Sequence, residues 1–260
     1  MQQMPIAYDV AVHLTRAIGA RPTASPGERR ALTEVADAFR RDGLGVFSIP
    51  IRVPGRGRSR DVVGEVSGRH RCLKIVTAHA DSGTAGPGAS DNASGVGVLI
   101  AVAGRLRRIQ PQCAVWLVAT GAEERFVWGG RDHLGALVLT HLVRRRHLQP
   151  RLRYMLSVDT VGTTRRFWLR SPVRRPRTGA ERELLGVARA AHVTVVWRRD
   201  DAQGNSDHRE FELAHLRGMV IEVWRGDDPC GESACDDWRR LDPLALDGVE
   251  RVVEGVLRRR

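Results

Sequence analysis

Apolar positions along the chain follow two patterns, one continuous and one periodic. Short continuous apolar runs are typical of strands that are buried on both faces of a sheet. Such runs predict strands at Val62–Val66, Leu73–Ala78, Cys113–Thr120, Leu152–Asp159, Phe167–Arg170, Val193–Trp197 and Gly218–Trp224. Apolar residues at helical spacing predict helices near Ala93–Arg108, Arg131–Arg146, Glu181–Ala191 and Leu244–Leu257. Strands that alternate with helices in this way indicate an α/β protein.

The best-marked helix start lies nearer the amino terminus. Ser25-Pro26-Gly27-Glu28 is a capping-box sequence with proline at the first helical position. Apolar residues continue at helical spacing from Ala31 to Phe39, and Gly43 is a typical helix end. The sequence therefore predicts a helix that begins after Ser25 and ends before Gly43.

These elements predict a single domain over residues 1–260, because neither an internal repeat nor a clear linker divides the chain. We expect a mostly parallel, twisted sheet that is covered by helices on both faces, since continuous apolar strands need both faces buried. In such folds the functional groups collect at the carboxyl ends of the strands.

Charge adds little to this picture. The chain has 42 Lys+Arg and 30 Asp+Glu, which gives a formal net charge of +12. Lys74 is the only lysine, and aromatic residues make up 5% of the chain. A nucleic-acid surface usually mixes lysine and arginine with stacking aromatics, so we interpret the arginines as a solvated surface and expect no nucleic-acid partner. The apolar runs are shorter than the roughly 18 residues of a membrane span, so we expect no membrane partner either.

The four cysteines are too few for a disulfide framework in a chain of this length. Cys72 and Cys113 lie in strand-like stretches, so we expect them in the core. Cys230 and Cys235 are close enough to form a bridge, and a reduced pair is equally allowed. The amino terminus shows no basic start followed by an apolar core, so we expect no secretory signal and a cytoplasmic protein.

Polar side chains collect at the ends of the predicted strands and at one helix start. They are His79, Asp81, Asp91, Glu123, Glu124 and Asp159. Taken singly, Asp91 is typical of a helix cap and the two glutamates of a solvated loop. Together these residues predict a site for a divalent cation such as Zn²⁺, Mn²⁺ or Co²⁺, because a cation offsets the repulsion among close carboxylates.

Short strings around these residues occur in a recognisable order. They are His79-Ala80-Asp81-Ser82, Asp91-Asn92-Ala93-Ser94-Gly95, Gly121-Ala122-Glu123-Glu124, Ser157-Val158-Asp159-Thr160-Val161-Gly162 and Ser206-Asp207-His208. In these strings and their spacing the chain resembles the co-catalytic zinc aminopeptidases of metallopeptidase family twenty-eight, to which glutaminyl cyclases are related. The likeness runs from about residue 10 to the end. It implies a zinc exopeptidase-like, three-layer sandwich of the phosphorylase/hydrolase-like kind.

The resemblance also implies a set of metal ligands. His79 and Glu124 would hold one ion, Asp159 would hold a second, and Asp91 would bridge both. The expected cofactors are two divalent ions, zinc first, with manganese or cobalt as substitutes. A one-ion site is the alternative.

Two further residues would act in the reaction. By the resemblance, Glu123 would be the general base that takes a proton from the attacking water. Asp81 would fix the tautomer of His79 from behind. We therefore expect a metal-dependent aminopeptidase that acts on peptides with a free amino terminus, and we leave its oligomeric state open.

One position departs from the family pattern. The last metal ligand is normally a histidine, and spacing from Leu241-Asp242-Pro243 places Glu232 there. His208 and His215 are the nearest other imidazoles. Either Glu232 is a ligand, or the second ion is absent, or the chain has lost activity and acts as a scaffold. A glutaminyl-cyclase-like aminoacyltransferase is a further alternative, and retained hydrolysis is our first hypothesis.

Overall fold

The structure is a computed structural model that describes residues 6–125, 131–200, 205–223, 228–231 and 233–259. Its α-helices are α1 (Ile6–His13), α2 (Pro26–Arg41), α3 (Ser94–Ile109), α4 (Leu134–Arg145), α5 (Glu181–Ala190), α6 (His208–Leu213) and α7 (Pro243–Leu257). Its strands are β1 (Gly45–Val53), β2 (Gly57–Val66), β3 (His70–His79), β4 (Cys113–Thr120), β5 (Leu152–Val158), β6 (Arg166–Ser171), β7 (Thr194–Arg199) and β8 (Gly218–Val223).

The strands form one mixed sheet in the order β1-β2-β4-β3-β5-β8-β6-β7. The four central strands, β4, β3, β5 and β8, run parallel to one another. Towards the edges, β2 pairs antiparallel with β4, and β6 pairs antiparallel with β8. The predicted α/β fold with a mostly parallel sheet is confirmed, and the carboxyl ends of the four central strands lie at one edge of the sheet.

Helices cover both faces of the sheet. Successive residues of a strand point to opposite faces, so neighbouring residues of one strand pack against different helices. Val76 belongs to a core cluster with apolar side chains of α3 and α7. Its neighbour Ile75 belongs to a second cluster with side chains of α4 and α6. Since both faces are buried, β3 is apolar without interruption, as its sequence pattern predicts.

Three elements were not predicted, namely α1, β1 and α6. Pro50 argues against a strand, but β1 is at the edge of the sheet, where one side of the strand forms no ladder and proline is tolerated. α1 packs so closely on α3 that a Cβ at Gly97 would lie 2.2 Å from the carbonyl oxygen of Ala7. Within the described ranges, no helix is long and apolar enough to cross a membrane.

The cysteines differ from their expected state. Cys72 and Cys113 do lie in strands, but a disulfide joins them and so links β3 to β4. A second disulfide joins Cys230 to Cys235. All four cysteines are therefore paired, so the Cys72–Cys113 bridge was not expected, and the Cys230–Cys235 pair is in the bridged one of its two expected states.

Candidate metal centre

The carboxyl ends of β3, β4 and β5 bring five predicted residues to one cavity. His79 is the last residue of β3, and Asp159 directly follows β5. Glu123 and Glu124 follow β4, and Asp91 approaches from the turn that leads into α3. The cavity has a volume of about 220 Å³, and its lining consists of His79, Asp91, Glu123, Glu124, Asp159, Thr160, Asn205, Glu222, Val223, Asp228 and Gly231.

His79 lies at the centre of this group. Its Nε2 is 3.0 Å from Oδ1 of Asp91 and 3.4 Å from Oδ1 of Asp159. Its Nδ1 is 3.9 Å from Oε2 of Glu123. Two groups of side chains therefore have ligand atoms that lie within 4.8 Å of each other inside the group. The first group is His79, Asp91 and Asp159, and the second is His79, Glu123 and Glu124.

The environment of Glu124 fits a bound cation. Burial raises the pKa of Glu124 well above its ordinary value, and the charges of Asp91 and Glu123 raise it further. Its Oε1 is buried and has no hydrogen-bond partner among the described residues. An unpartnered buried carboxylate is costly, and a divalent ion would supply the missing partner. An imidazole with several carboxylates is a donor set that suits zinc.

Asp81 lies behind His79 and is fully buried. Its Oδ1 is 3.7 Å from Nδ1 of His79. Its carboxylate also accepts hydrogen bonds from the main-chain N–H groups of Glu123 (3.2 Å) and Glu124 (3.0 Å), and from the hydroxyl of Thr23 (2.7 Å). Asp81 thus connects the histidine to the loop that carries both glutamates.

The capping-box glutamate, Glu28, supports the same loop. As predicted, Ser25 Oγ accepts a hydrogen bond from Glu28 N, and Oε2 of Glu28 accepts one from Ala24 N (2.7 Å). The other oxygen, Oε1, accepts a hydrogen bond from Ala122 N (2.8 Å). Ser25 therefore caps α2, while the buried side chain of Glu28 links the residue before that cap to the loop that follows β4.

His133 is a site residue that sequence reasoning missed. Its Nε2 is 3.0 Å from Oε1 of Glu123, and its main-chain N–H donates to the carbonyl oxygen of Glu123 (2.8 Å). Burial raises the pKa of Glu123 to about 7, although His79 and His133 oppose the shift. Burial lowers the pKa of His133, but Glu123 and Asp132 outweigh it and raise this pKa to about 11. No local motif surrounds His133, so only the fold reveals the contact.

Asp91 is held in place by residues that are distant along the chain. The carboxylate of Asp236 accepts hydrogen bonds from Ser90 N (2.7 Å) and Asp91 N (2.9 Å). The fully buried guanidinium of Arg21 donates to the carbonyl oxygen of Gly88 (3.0 Å). Gly88 has a φ of 59°, and a Cβ there would lie 2.3 Å from Asp91 O, so only glycine fits. The turn is therefore fixed from two sides.

The predicted ligand Glu232 lies outside the described residues, so its role stays a prediction. Its neighbour Gly231 lines the cavity. The two other imidazoles considered for this position do not line the cavity. His208 is buried, with Nε2 3.1 Å from Oδ2 of Asp200, and His215 is exposed.

The histidine and carboxylates that meet at the strand ends of this α/β sheet form a donor set that fits a divalent cation. A family model described as Peptidase family M28 matches residues 61–257. The chain belongs to this family of metallopeptidases. The comparison with curated proteins finds no match.

Solved structures share the fold over almost the whole chain. A leucine aminopeptidase precursor from Bacteroides thetaiotaomicron is 20% identical with a TM-score of 0.82, and the match covers 98% of this chain and 96% of that one. The zinc aminopeptidase BSAP from Bacillus subtilis is 16% identical with a TM-score of 0.77, covering 98% and 95%. A glutaminyl cyclase from Bacteroides thetaiotaomicron, bound to N-acetylhistamine, is 19% identical with a TM-score of 0.81, covering 99% and 100%. At these identities the likeness shows the fold.

Proposed function

We propose that the chain is a metal-dependent aminopeptidase that removes amino-terminal residues from peptides. The observation that carries the proposal is the meeting of His79, Asp91, Glu124 and Asp159 in one cavity beside Glu123. Membership of peptidase family M28 and the likeness to solved aminopeptidases support it.

The proposed cofactors are two divalent ions, with zinc as the first candidate. His79, Asp91 and Asp159 would hold one ion, because Nε2 of the histidine faces both carboxylates at 3.0 and 3.4 Å. Asp91 and Glu124 would hold the other, with Glu232 as a further ligand. This grouping differs from the sequence-based prediction, which paired His79 with Glu124. When bound, such ions supply Lewis-acid polarisation of a carbonyl group and activation of water.

Glu123 is the proposed general base. Its carboxylate lines the cavity beside the proposed metal ligands, where it can accept a proton from water and release it again. Since Oε1 contacts His133, the oxygen that faces His79 is Oε2. Glu123 would accept a proton from the attacking water and pass it to the leaving amine. Asp81 and His133 are proposed as positioning residues, because they contact the main chain and side chain of Glu123.

The test is Glu123→Gln, which keeps the shape of the side chain and removes its ability to accept a proton. We predict that kcat on an aminoacyl p-nitroanilide falls about 100-fold or more, with zinc content unchanged. Glu34→Gln, on the surface of α2, is the control and should leave kcat within about twofold, as expected for a surface substitution. Undiminished hydrolysis by Glu123→Gln would remove the base role, and equal cleavage of amino-acetylated peptides would contradict aminopeptidase activity.

A glutaminyl-cyclase-like activity is the second candidate, favoured by the match that covers the whole of a solved glutaminyl cyclase. Incubation with a peptide that begins with glutamine separates the two activities. Ring closure releases ammonia and leaves the peptide chain intact, whereas hydrolysis releases free glutamine. Mass spectrometry of the products decides between them.

A further inference from the structure

Part of the cavity wall lies beside the proposed metal ligands and has no role in the proposed chemistry. We call this part the side pocket, and it is formed by Thr160, Asn205, Glu222, Val223, Asp228 and Gly231. Among its described residues are two carboxylates and no lysine or arginine. Cavities for drug-sized ligands are typically about 300–1,000 Å³. A total of about 220 Å³ therefore suits a group as small as the end of a peptide.

Glu222 brings a carboxylate to the side pocket, and among the described residues it shares its arginine partner with a second carboxylate. Its Oε1 is 2.6 Å from Nη1 of Arg170, while Nη2 of the same guanidinium is 2.7 Å from Oδ1 of Asp200. One guanidinium thus serves two carboxylates, and of these three residues Glu222 alone lines the cavity. His208 contacts the other oxygen of Asp200 at 3.1 Å. Because the Glu222 side chain is only 6% exposed, water screens its charge weakly.

Asp228 is different, because its charge is matched. Its Oδ1 is 2.7 Å from Nη1 of Arg240, and its carboxylate also accepts a hydrogen bond from Cys230 N (3.3 Å). Among the described residues, the guanidinium of Arg240 therefore pairs with the carboxylate of Asp228. In the described part of the side pocket, Glu222 is thus the acid whose arginine partner is divided between two carboxylates.

We propose that the side pocket receives the first side chain of the substrate and selects a cationic one, arginine or lysine, with Glu222 as the specificity-determining residue. The proposal rests on the proposed function for the statement that the ligand is an amino-terminal residue. An apolar side chain would bury the Glu222 carboxylate further, although its one described cationic partner, Arg170, is shared with Asp200. A guanidinium or ammonium group of the substrate supplies a second cationic partner, so the same residue favours cations over apolar side chains.

The kinetic test uses the p-nitroanilides of L-arginine and L-citrulline, which have nearly the same shape and differ in side-chain charge. We expect kcat/KM to be about tenfold or more higher for the arginine compound, and Glu222→Gln to bring the two within about twofold. Glu212→Gln is the matched control, since Glu212 also pairs with an arginine, Arg177 at 2.7 Å, but does not line the cavity. It should leave the ratio unchanged.

A binding measurement gives a result that does not depend on hydrolysis. Calorimetric titration of the zinc-loaded protein with free L-arginine and free L-citrulline should show about tenfold tighter binding of arginine, lost in Glu222→Gln. This comparison within the wild-type protein remains decisive if the variant does not fold. Hydrolysis of both p-nitroanilides at equal kcat/KM, with equal binding, would overturn the selectivity and leave the aminopeptidase function standing. Failure to hydrolyse either compound, with arginine still bound more tightly through Glu222, would overturn the function and support the recognition.

Discussion

Glu28 supports the loop that follows β4, and its carboxyl group is buried, which disfavours the charged form. Burial raises the pKa of its carboxyl group from 4.5 to about 7. A pKa that is higher in the folded than in the unfolded state means that the folded protein binds this proton more tightly. The stability that this group contributes is fully present below pH 4.5 and is lost as the pH rises through about 7. A shift of this size corresponds to about 3 kcal/mol at most.

Glu28→Gln tests this linkage, because glutamine does not titrate. We predict that the free energy of unfolding of the variant, minus that of the wild type, increases between about pH 4.5 and pH 7. Urea unfolding of both proteins at a series of pH values measures the difference, in which groups common to both proteins cancel. A difference that stays constant with pH would show that Glu28 has no raised pKa.

The residues that could be predicted from sequence are those with local motifs around them. His79, Asp91 and Glu123 stand in short strings next to strand or helix ends, and the structure brings them to one cavity. No local motif surrounds His133, which contacts Glu123, and Asp236 contacts Asp91 from a distant part of the sequence. Such contacts depend on how the elements pack, which no local pattern records.

At the scale of elements, the turn before α3 is the part of the site that depends most on distant segments. Besides Asp236 and Arg21, the side chain of Asn92 ties this turn to the end of β5, donating from Nδ2 to the carbonyl oxygen of Val158 (2.9 Å). At Gly95 a Cβ would lie 2.3 Å from that same oxygen, so α3 begins in direct contact with β5. The position of Asp91 therefore follows from several separate segments of the chain.

Asp236→Asn tests this support. Both carboxylate oxygens of Asp236 accept main-chain hydrogen bonds, and asparagine offers only one oxygen. We predict a loss of about 1–3 kcal/mol in the free energy of unfolding. Zinc affinity should fall roughly tenfold, because the turn that carries Asp91 loosens.

The control for that variant is the adjacent substitution Asp237→Asn. Asp237 caps a short helical turn by accepting a hydrogen bond from Arg239 N (2.8 Å), and asparagine caps equally well. Chemical unfolding and zinc titration should leave this protein close to the wild type. Equal behaviour of the two variants would contradict a positioning role for Asp236.

The central strands could be predicted because burial on both faces makes them uniformly apolar. The edge strand β1 could not, because Pro50 lies within it and proline is typical of strands only at a sheet edge. Helix α1 was missed because it is only eight residues long and lacks a capping signal. Sequence patterns thus predicted the elements that carry His79, Glu123 and Asp159, and missed elements at the margins.

At the scale of the whole molecule, the structure explains two features of the composition, which are the excess of arginine and the single lysine. The net charge of +12 coexists with an acidic cavity, so the arginines lie mainly outside it. The single lysine, Lys74, is fully buried, and its Nζ donates to the carbonyl oxygen of Val256 (2.7 Å) and to Glu183 (2.6 Å). Lys74, a residue of β3, is therefore hydrogen-bonded to the end of α7. The two disulfides are typical of oxidising compartments, and the cytoplasmic location stays a prediction.

The disulfides can be tested by counting thiols. We predict that protein purified without reductant shows no free thiol when it is unfolded in guanidinium chloride with a thiol reagent. After reduction it should show all four. The Cys72–Cys113 bridge spans 41 residues, so the loss of this bridge alone should lower the free energy of unfolding by about 4 kcal/mol. Four free thiols before reduction would contradict the pairing.

The metal content of the purified protein tests the central claim most directly. After incubation with zinc and removal of the excess, elemental analysis should find up to two ions per wild-type chain. Asp91→Asn, which alters the proposed bridging ligand, should lose at least one of them. Asp247→Asn, at a partly exposed position on α7 that does not line the cavity, should match the wild type. Zinc-free wild-type protein, or an Asp91→Asn variant that binds as much zinc as the wild type, would contradict the account.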